Sequence, residues 1–391
     1  MDSIAASPAA QRLFAASILA RLPLAMLSIG LLVHARQLTG SFAQAGAVTG
    51  GYAIALGVGG PLLGRLVDRR GQTSVLLACA SIAAALLVTI GLLPTGAPLA
   101  VLVVLAAGTG LATPPVGACL RTQLPALLST PSAIRSGYAL EASLVELTYI
   151  FGPPLVLCLG ALWSSGAALA VGGLVLLAAT AAFAAQPASR NWRPALAGRL
   201  RPGGSLGTPA MRTLVTVLIA VGMLLGADEV AVIAAAKALH STVGAAPLFA
   251  LWGAGSFIGG LLVTRFGGRA HTAVRLALLL GALTAGHLAL IPADGSILAL
   301  GAVLLFAGAA IAPTEATLYA MVDNAAPDGT LTEAFGWLAT AMAVGAAVGA
   351  AGAGIVTDRA GPTAAFGLAG GAGALALLTS MLRSQTITPP G

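Results

Sequence analysis

Apolar residues run along this chain in blocks of about 20, enough to cross a bilayer as a helix, separated by short stretches rich in charge, proline or glycine. Cutting at those stretches predicts twelve spanning helices near 12–35, 42–65, 73–93, 98–120, 137–161, 166–186, 212–236, 244–265, 272–292, 297–320, 332–356 and 363–383. The longest polar interruption, 187–211, holds Arg190, Arg193, Arg199 and Arg201 and separates six helices from six. The expected architecture is an all-α membrane protein: twelve transmembrane helices in two pseudo-symmetric six-helix bundles, 1–186 and 212–391, joined by a cytoplasmic linker at 187–211.

Composition supports that reading. Only 8% of the 391 residues are charged, where a soluble domain has about a quarter, and mean hydropathy is +0.97. Glycine is abundant, and small residues let helices associate closely where lipid removes the hydrophobic drive between them. Cys79, Cys119 and Cys158 lie in apolar stretches without metal-ligand or disulfide spacing, so they read as small packing residues. No cleavable signal peptide is expected, because Asp2 precedes the first apolar block and Arg21 interrupts it.

The basic residues set orientation. With both termini inside, fifteen of the 19 Lys/Arg fall on the cytoplasmic side or its helix ends, Arg65, Arg69, Arg70 and Arg121 among them. Arg36, Lys237 and Arg359 fall outside, and Arg21 falls within the membrane. This positive-inside bias predicts a multi-pass protein of the cell membrane with cytoplasmic termini. The basic residues form no clustered phosphate-binding face, so nucleic acid is not expected as a partner despite the net charge of +7.

The stretch GRLVDRRGQT (64–73) is the short turn between the second and third helices. Shifting by 196 positions aligns GVGGPLLGRLVDRRG (57–71) with GAGSFIGGLLVTRFG (253–267), with seven identities in fifteen positions. The copy falls between the eighth and ninth helices, the equivalent place in the second half, as in transporters built from parallel six-helix repeats. Gly64-x-x-x-Asp68-Arg69-x-Gly71 resembles the helix 2–3 signature of the major facilitator superfamily. Gly260-x-x-x-Thr264-Arg265-x-Gly267 resembles its degenerate second copy. The sequence departs from the usual pattern at Gln72 and Thr73, commonly basic, and at Thr264, in place of an acid. Gly152-Pro153 in YIFGPP (149–154) weakly resembles the glycine-proline signature of antiporters in that superfamily. The resemblance implies two halves rocking about a central site.

In that turn, Gly64 allows the helix end to approach a neighbour and Gly71 a tight reversal. Arg65 and Arg70 read as topological anchors. Asp68, which anchoring does not require, reads with Arg69, Arg265 and Gly267 as part of a conformational latch whose partners are basic or amide groups at opposing helix ends.

An ionisable residue at the centre of a spanning helix costs about 2.5–3.5 kcal/mol on insertion scales, so its retention points to function. The candidates for proton coupling or substrate binding are Arg21, Glu141, Glu146, Asp228, Glu229 and Glu315. Arg21 and Glu146 both lie about 13 Å along their predicted helices, which makes them a candidate ion pair. Glu141 lies near the cytoplasmic mouth, and with Glu315 and the acids of the seventh helix it is expected to reach a cavity between the halves. Asp228 and Glu229 lie toward the external end of that helix. His287 reads as a packing or intrahelical residue, and Gly345, Gly349, Gly352 and Gly354 as a close-packing face.

There is no G-x-x-x-x-G-K-[ST] loop and no soluble segment large enough for an ATPase, so no cofactor or metal is expected and energy must come from a gradient. The leading reading is a monomeric secondary active transporter, exporting a small apolar or cationic molecule by alternating access in exchange for protons. Proton-linked uptake or facilitated passage of a metabolite is the alternative. A membrane-embedded enzyme or receptor is less favoured, for want of a nucleophile–base or metal-ligand constellation.

Overall fold

The computed structural model describes residues 8–128, 130–192, 204–240, 245–266 and 272–387. Arg193, Arg199, Arg201, Gly267 and Arg269 lie outside the described residues, as does Asp2. The first six spanning helices are α1 (Pro8–Thr39), α2 (Phe42–Arg70), α3 (Gln72–Gly91), α4 (Leu99–Leu127), α5 (Pro131–Leu162) and α6 (Ser165–Ala184). The second six are α7 (Pro209–Ala238), α8 (Ala246–Phe266), α9 (Ala273–Ala293), α10 (Ile297–Ala325), α11 (331–360) and α12 (362–382). Among the described residues there is no strand.

The last two helices follow one another without a loop, and the chain reverses at Gly361, which has φ 79° and precedes Pro362. A Cβ built on Gly352 would lie 3.2 Å from Leu368, sixteen residues on, a contact that only a folded-back chain permits. The turn of GRLVDRRGQT is equally tight. Gly71, at φ 92°, ends α2 and its N–H bonds to the Val67 carbonyl at 2.8 Å.

Several helices begin earlier than the apolar pattern indicates. Thr130 caps α5 and Thr208 caps α7, each accepting a backbone N–H at 3.2 Å, with proline at the first helical position. The two proline pairs behave differently. Pro114-Pro115 interrupt α4 between Leu111 and Val116, whereas Pro153-Pro154 sit inside the unbroken α5. Pro313 occupies the first turn after a break in α10, where its missing N–H leaves no hydrogen bond unmade.

α7 packs extensively against the α11–α12 pair, and α1 against α5 and α6. The groups α1–α6 and α7–α12 meet along α2–α11, α5–α8 and α5–α10. The seam runs from the end carrying the 70–72 turn, here called the basic end, inward to the contacts of Thr340 with Gly57 and of Glu146 with Ser256. There Gly64 of α2 faces Thr332, Gly60 faces Gly336, and Ser143 of α5 faces Gly260 of α8.

Close backbone approach also binds α7 to α11. Cβ atoms on Gly222 and Gly226 would collide with the carbonyls of Met342 and Ala346, and those on Gly345 and Gly349 with the carbonyls of Ile219 and Met223. Gly226→Val should therefore destabilise the protein by about 1–3 kcal/mol through overpacking, seen as a lowered melting temperature and less monodisperse protein in detergent. Gly354→Ala, with nothing within 4 Å of the added carbon, is the matched control and should melt like the parent.

Candidate functional site

Glu141 is fully buried on α5 and serves two guanidinium groups. Arg121 of α4 donates from Nε and Nη2 to its two carboxylate oxygens, both at 3.0 Å, in a bidentate pair. Arg21 of α1 donates from Nη1 to Oε1. Room for Arg21 comes from Gly117, one turn before Arg121, where a Cβ would lie 3.1 Å from the Arg21 guanidinium carbon. The Arg121 guanidinium lies 3.8 Å from the centroid of the Tyr319 ring on α10 and 5.6 Å from that of Phe335 on α11. Cation–π attraction of this kind strengthens when the cation is desolvated. One carboxylate thus joins α1, α4 and α5, and the arginine it orients rests on aromatic rings of the second group.

Three expectations are corrected here. Arg21 pairs with Glu141, not Glu146. Matching depth is not enough: the two glutamates point about 140° apart, and Glu141 faces α1 and α4 while Glu146 faces α8, where it accepts from the Ser256 hydroxyl at 2.9 Å. Glu141 does not reach a cavity, because the two guanidinium groups enclose it. Arg121 is not an exposed topological anchor: α4 runs on to Leu127 after its proline break, which carries Arg121 into the bundle. Its neighbours Gln72, Gln123 and Thr122 also hydrogen-bond inward, Gln72 Nε2 reaching the Thr122 hydroxyl at 3.1 Å. Gln123, two residues after Arg121, is the polar companion in the sequence that would have flagged this stretch as interior.

Above this closed layer the side chains are partly accessible. Glu146 and Glu315 are half-buried, they interact electrostatically with one another, and Tyr319 Oη donates to Glu315 at 3.3 Å. Tyr149, within electrostatic range of Arg21, Glu146 and Glu315, is 63% exposed. Glu146 and Tyr149 thus lie deeper along α5 than the enclosed Glu141, on the stretch that meets α8 through Ser256 and Gly253. Toward the basic end, Tyr138 Oη donates to Asp323 at 2.9 Å, an α5–α10 contact across the seam.

The acids of α7 separate. Asp228 is fully buried within the second group, so it neither extends outward nor faces the space between the groups; only the adjacent Glu229 is exposed. His287 is buried on α9 and hydrogen-bonds the carbonyl of Leu283, one turn back. Among the described residues no group of three or more His, Cys, Asp and Glu side chains is placed to hold a metal ion.

At the basic end, Asp68 accepts backbone N–H groups of Thr332 at 3.1 Å and Glu333 at 2.9 Å. These are unsatisfied donors in the first turn of α11, where a negative charge also meets the positive end of the helix dipole. Gly64 makes the approach possible, since a Cβ there would lie 2.6 Å from the Thr332 carbonyl. Arg65, expected to serve mainly as an anchor, donates to Glu333 from Nε at 3.1 Å and Nη2 at 2.7 Å. Arg69 and Arg70 are exposed. The second copy is built differently. The Thr264 hydroxyl bonds the Gly260 carbonyl within α8, and the contact to α5 runs from the Ser136 hydroxyl to the Thr264 carbonyl at 3.1 Å. Arg265 lies in the last turn of that helix, its side chain outside what is described.

The sequence profile of the Major Facilitator Superfamily matches residues 13–332. The chain belongs to this superfamily. Among curated proteins none matches it significantly. The fold is similar to that of the human organic anion transporter MFSD10 (TETRAN), at TM-score 0.75 and 19% identity, covering 96% of this chain and 100% of that one. It is also similar to a bacterial homologue of the iron transporter ferroportin in an outward-facing state, at TM-score 0.78 and 15% identity, covering 97% and 100%. Superfamily and neighbours are transporters, and this chain is a transporter rather than an enzyme.

Two predictions follow from the geometry of this superfamily member. Glu141→Gln leaves the buried Arg121 and the part-buried Arg21 without their counter-charge, a loss of about 3–5 kcal/mol. Folded protein recovered in detergent should fall sharply, whereas Glu146→Gln should be recovered like the parent. Asp68→Asn keeps one acceptor oxygen where two amides need one each. Loss of about 1–3 kcal/mol should shift the population five- to 150-fold toward a form in which the basic ends of α2 and α11 stand apart. Distances between spin labels on those ends would report it; Thr264→Ala should leave them unchanged.

Proposed function

We propose that this protein is a secondary active transporter of the cell membrane, acting as a monomer and exporting a small apolar or cationic molecule in exchange for protons. In this reading, residues 1–186 and 212–391 are two rocking units joined by the linker 187–211, with both termini cytoplasmic. The observation that carries it is the pair of partly accessible carboxylates, Glu146 and Glu315, set above a fixed Arg21–Glu141–Arg121 cluster. Glu146 has a serine hydroxyl as its hydrogen-bond partner instead of a guanidinium. A carboxylate in that setting can take up a proton or meet a cation without leaving a buried arginine unpaired. Glu141 cannot, so it is assigned a structural role.

Asp68 and Glu333, bonded across the seam at the basic end, are assigned to hold the cytoplasmic side closed, a state that must break for access from inside. Arg69, Gly71, Arg265 and Gly267 complete the two turns as elements of the same latch. Glu229, exposed on α7, is assigned to the outer vestibule.

Transport by purified protein in proteoliposomes under an imposed pH gradient, screened with organic cations and neutral amphiphiles in both directions, is the direct test. The parent should move substrate against its gradient in exchange for protons. Glu146→Gln should abolish the pH-driven component while the protein remains folded. Flux in Glu146→Gln that still follows the pH gradient removes Glu146 from the mechanism, and substrate movement in the same direction as protons replaces export with uptake.

A further inference from the structure

Asp228 is fully buried on α7, and neither of its carboxylate oxygens has a hydrogen-bond partner. The ionisable group beside it is His287 of α9, itself fully buried, with Nε2 3.7 Å from Oδ2 of Asp228. Hydrogen-bond accounting fixes the imidazole. Its Nδ1 lies 2.7 Å from the Leu283 carbonyl, which only accepts, so Nδ1 carries a hydrogen. Nε2 lies 3.3 Å from the indole nitrogen of Trp252 on α8, which only donates, so in the neutral ring Nε2 offers a lone pair.

An ionised carboxylate with no donor to its oxygens is strongly disfavoured in so apolar a setting. The surrounding elements supply no counter-charge. α12 carries no ionisable side chain. Those of α11 (Glu333, Asp358 and Arg359) lie at its two ends, whereas α7 meets α11 here through Gly226 and Ala346. The ionisable residue of α8, Arg265, and the guanidinium of α9, Arg275, lie at the helix ends nearest the basic end. Glu315, Tyr319 and Asp323 of α10 belong to the seam, and Glu229 points about 100° away from Asp228 on α7. Thr284 of α9 donates its hydroxyl hydrogen to the Leu280 carbonyl.

We propose that Asp228 and His287 together hold one exchangeable proton, forming a second proton-binding site enclosed within the C-terminal helix group and separate from Glu146. In one form the carboxyl is neutral and His287 Nε2 keeps its lone pair. In the other the proton sits on Nε2, a carboxylate faces an imidazolium, and the Trp252 N–H loses its bond to Nε2. The proton moves between two acceptors, so net charge at the site is unchanged by the transfer. The site stands on its own geometry, and failure of Glu146 to couple protons would leave it untouched.

Infrared spectroscopy of the purified full-length protein in lipid nanodiscs, in H2O and after exchange into D2O, tests this. The parent should show a deuterium-sensitive protonated-carboxyl band. Asp228→Asn, close in shape to the neutral acid, should lose it. His287→Gln, which removes the imidazole but retains the acid, should shift it. If Asp228→Asn does not yield folded protein, the His287→Gln comparison decides alone. With all samples in a Glu146→Gln background, absence from the unsubstituted pair of both the carboxyl band and the imidazolium ring bands, persistence of the carboxyl band in Asp228→Asn, or an unshifted band in His287→Gln would overturn the proposal.

Discussion

In a bundle surrounded by lipid there is no water to stabilise a lone ion, so Glu141 can stay ionised only while it is held by donors of opposite charge. Arg121 and Arg21 provide them, from two different helices. Removing Glu141 strips both arginines of their counter-charge, and that shared dependence ties α1, α4 and α5 into one unit. The same pair aims Arg121 at Tyr319 and Phe335, so the charge chemistry of the first group ends on an aromatic surface of the second. A contact of that type depends on stacking geometry and can be broken without leaving an unpaired ion, because Arg121 keeps Glu141.

The site therefore has two layers with different freedoms. The closed layer cannot change protonation without disrupting the fold. The other layer, Glu146 with Glu315, has hydroxyl partners in place of guanidiniums, so a change of charge there strands no buried arginine. Below both lies the seam at the basic end. There a carboxylate on a helix N-terminus and a bidentate arginine–glutamate pair join α2 to α11. The equivalent seam between α5 and α8 uses neutral hydroxyl-to-carbonyl bonding. The two contacts thus differ in chemistry, charged between α2 and α11 and neutral between α5 and α8.

How much of this could be read from residue order divides along physical lines. Twelve apolar blocks, the reversal at Gly71 and the closeness allowed by Gly64 are local properties of composition and backbone freedom, and the structure has each of them, with several helices running past the ends of their apolar blocks. Starts of α5 and α7 were also written locally, in Thr130-Pro131 and Thr208-Pro209, as cap signals that an apolar-block count passes over. The family resemblance in the 64–71 turn was equally local, and the profile match over residues 13–332 agrees with it.

Partner choice was not local. Depth along a helix follows from counting residues, so Arg21 and Glu146 looked matched, but an ion pair also needs the two side chains to face each other. That azimuth is set by how helices rotate when their glycine faces dock, as Gly226 does against Ala346. Arg121 looked like one more cytoplasmic arginine until the extended α4 carried it inward, and Arg65 looked like an anchor until α11 brought Glu333 within 2.7 Å. Sequence by itself determined the number of membrane crossings, the family and which residues lipid should have excluded. Tertiary structure alone decided which of those charges neutralise one another, because Coulomb and hydrogen-bond energies depend on distance and direction between helices that the order of residues does not specify.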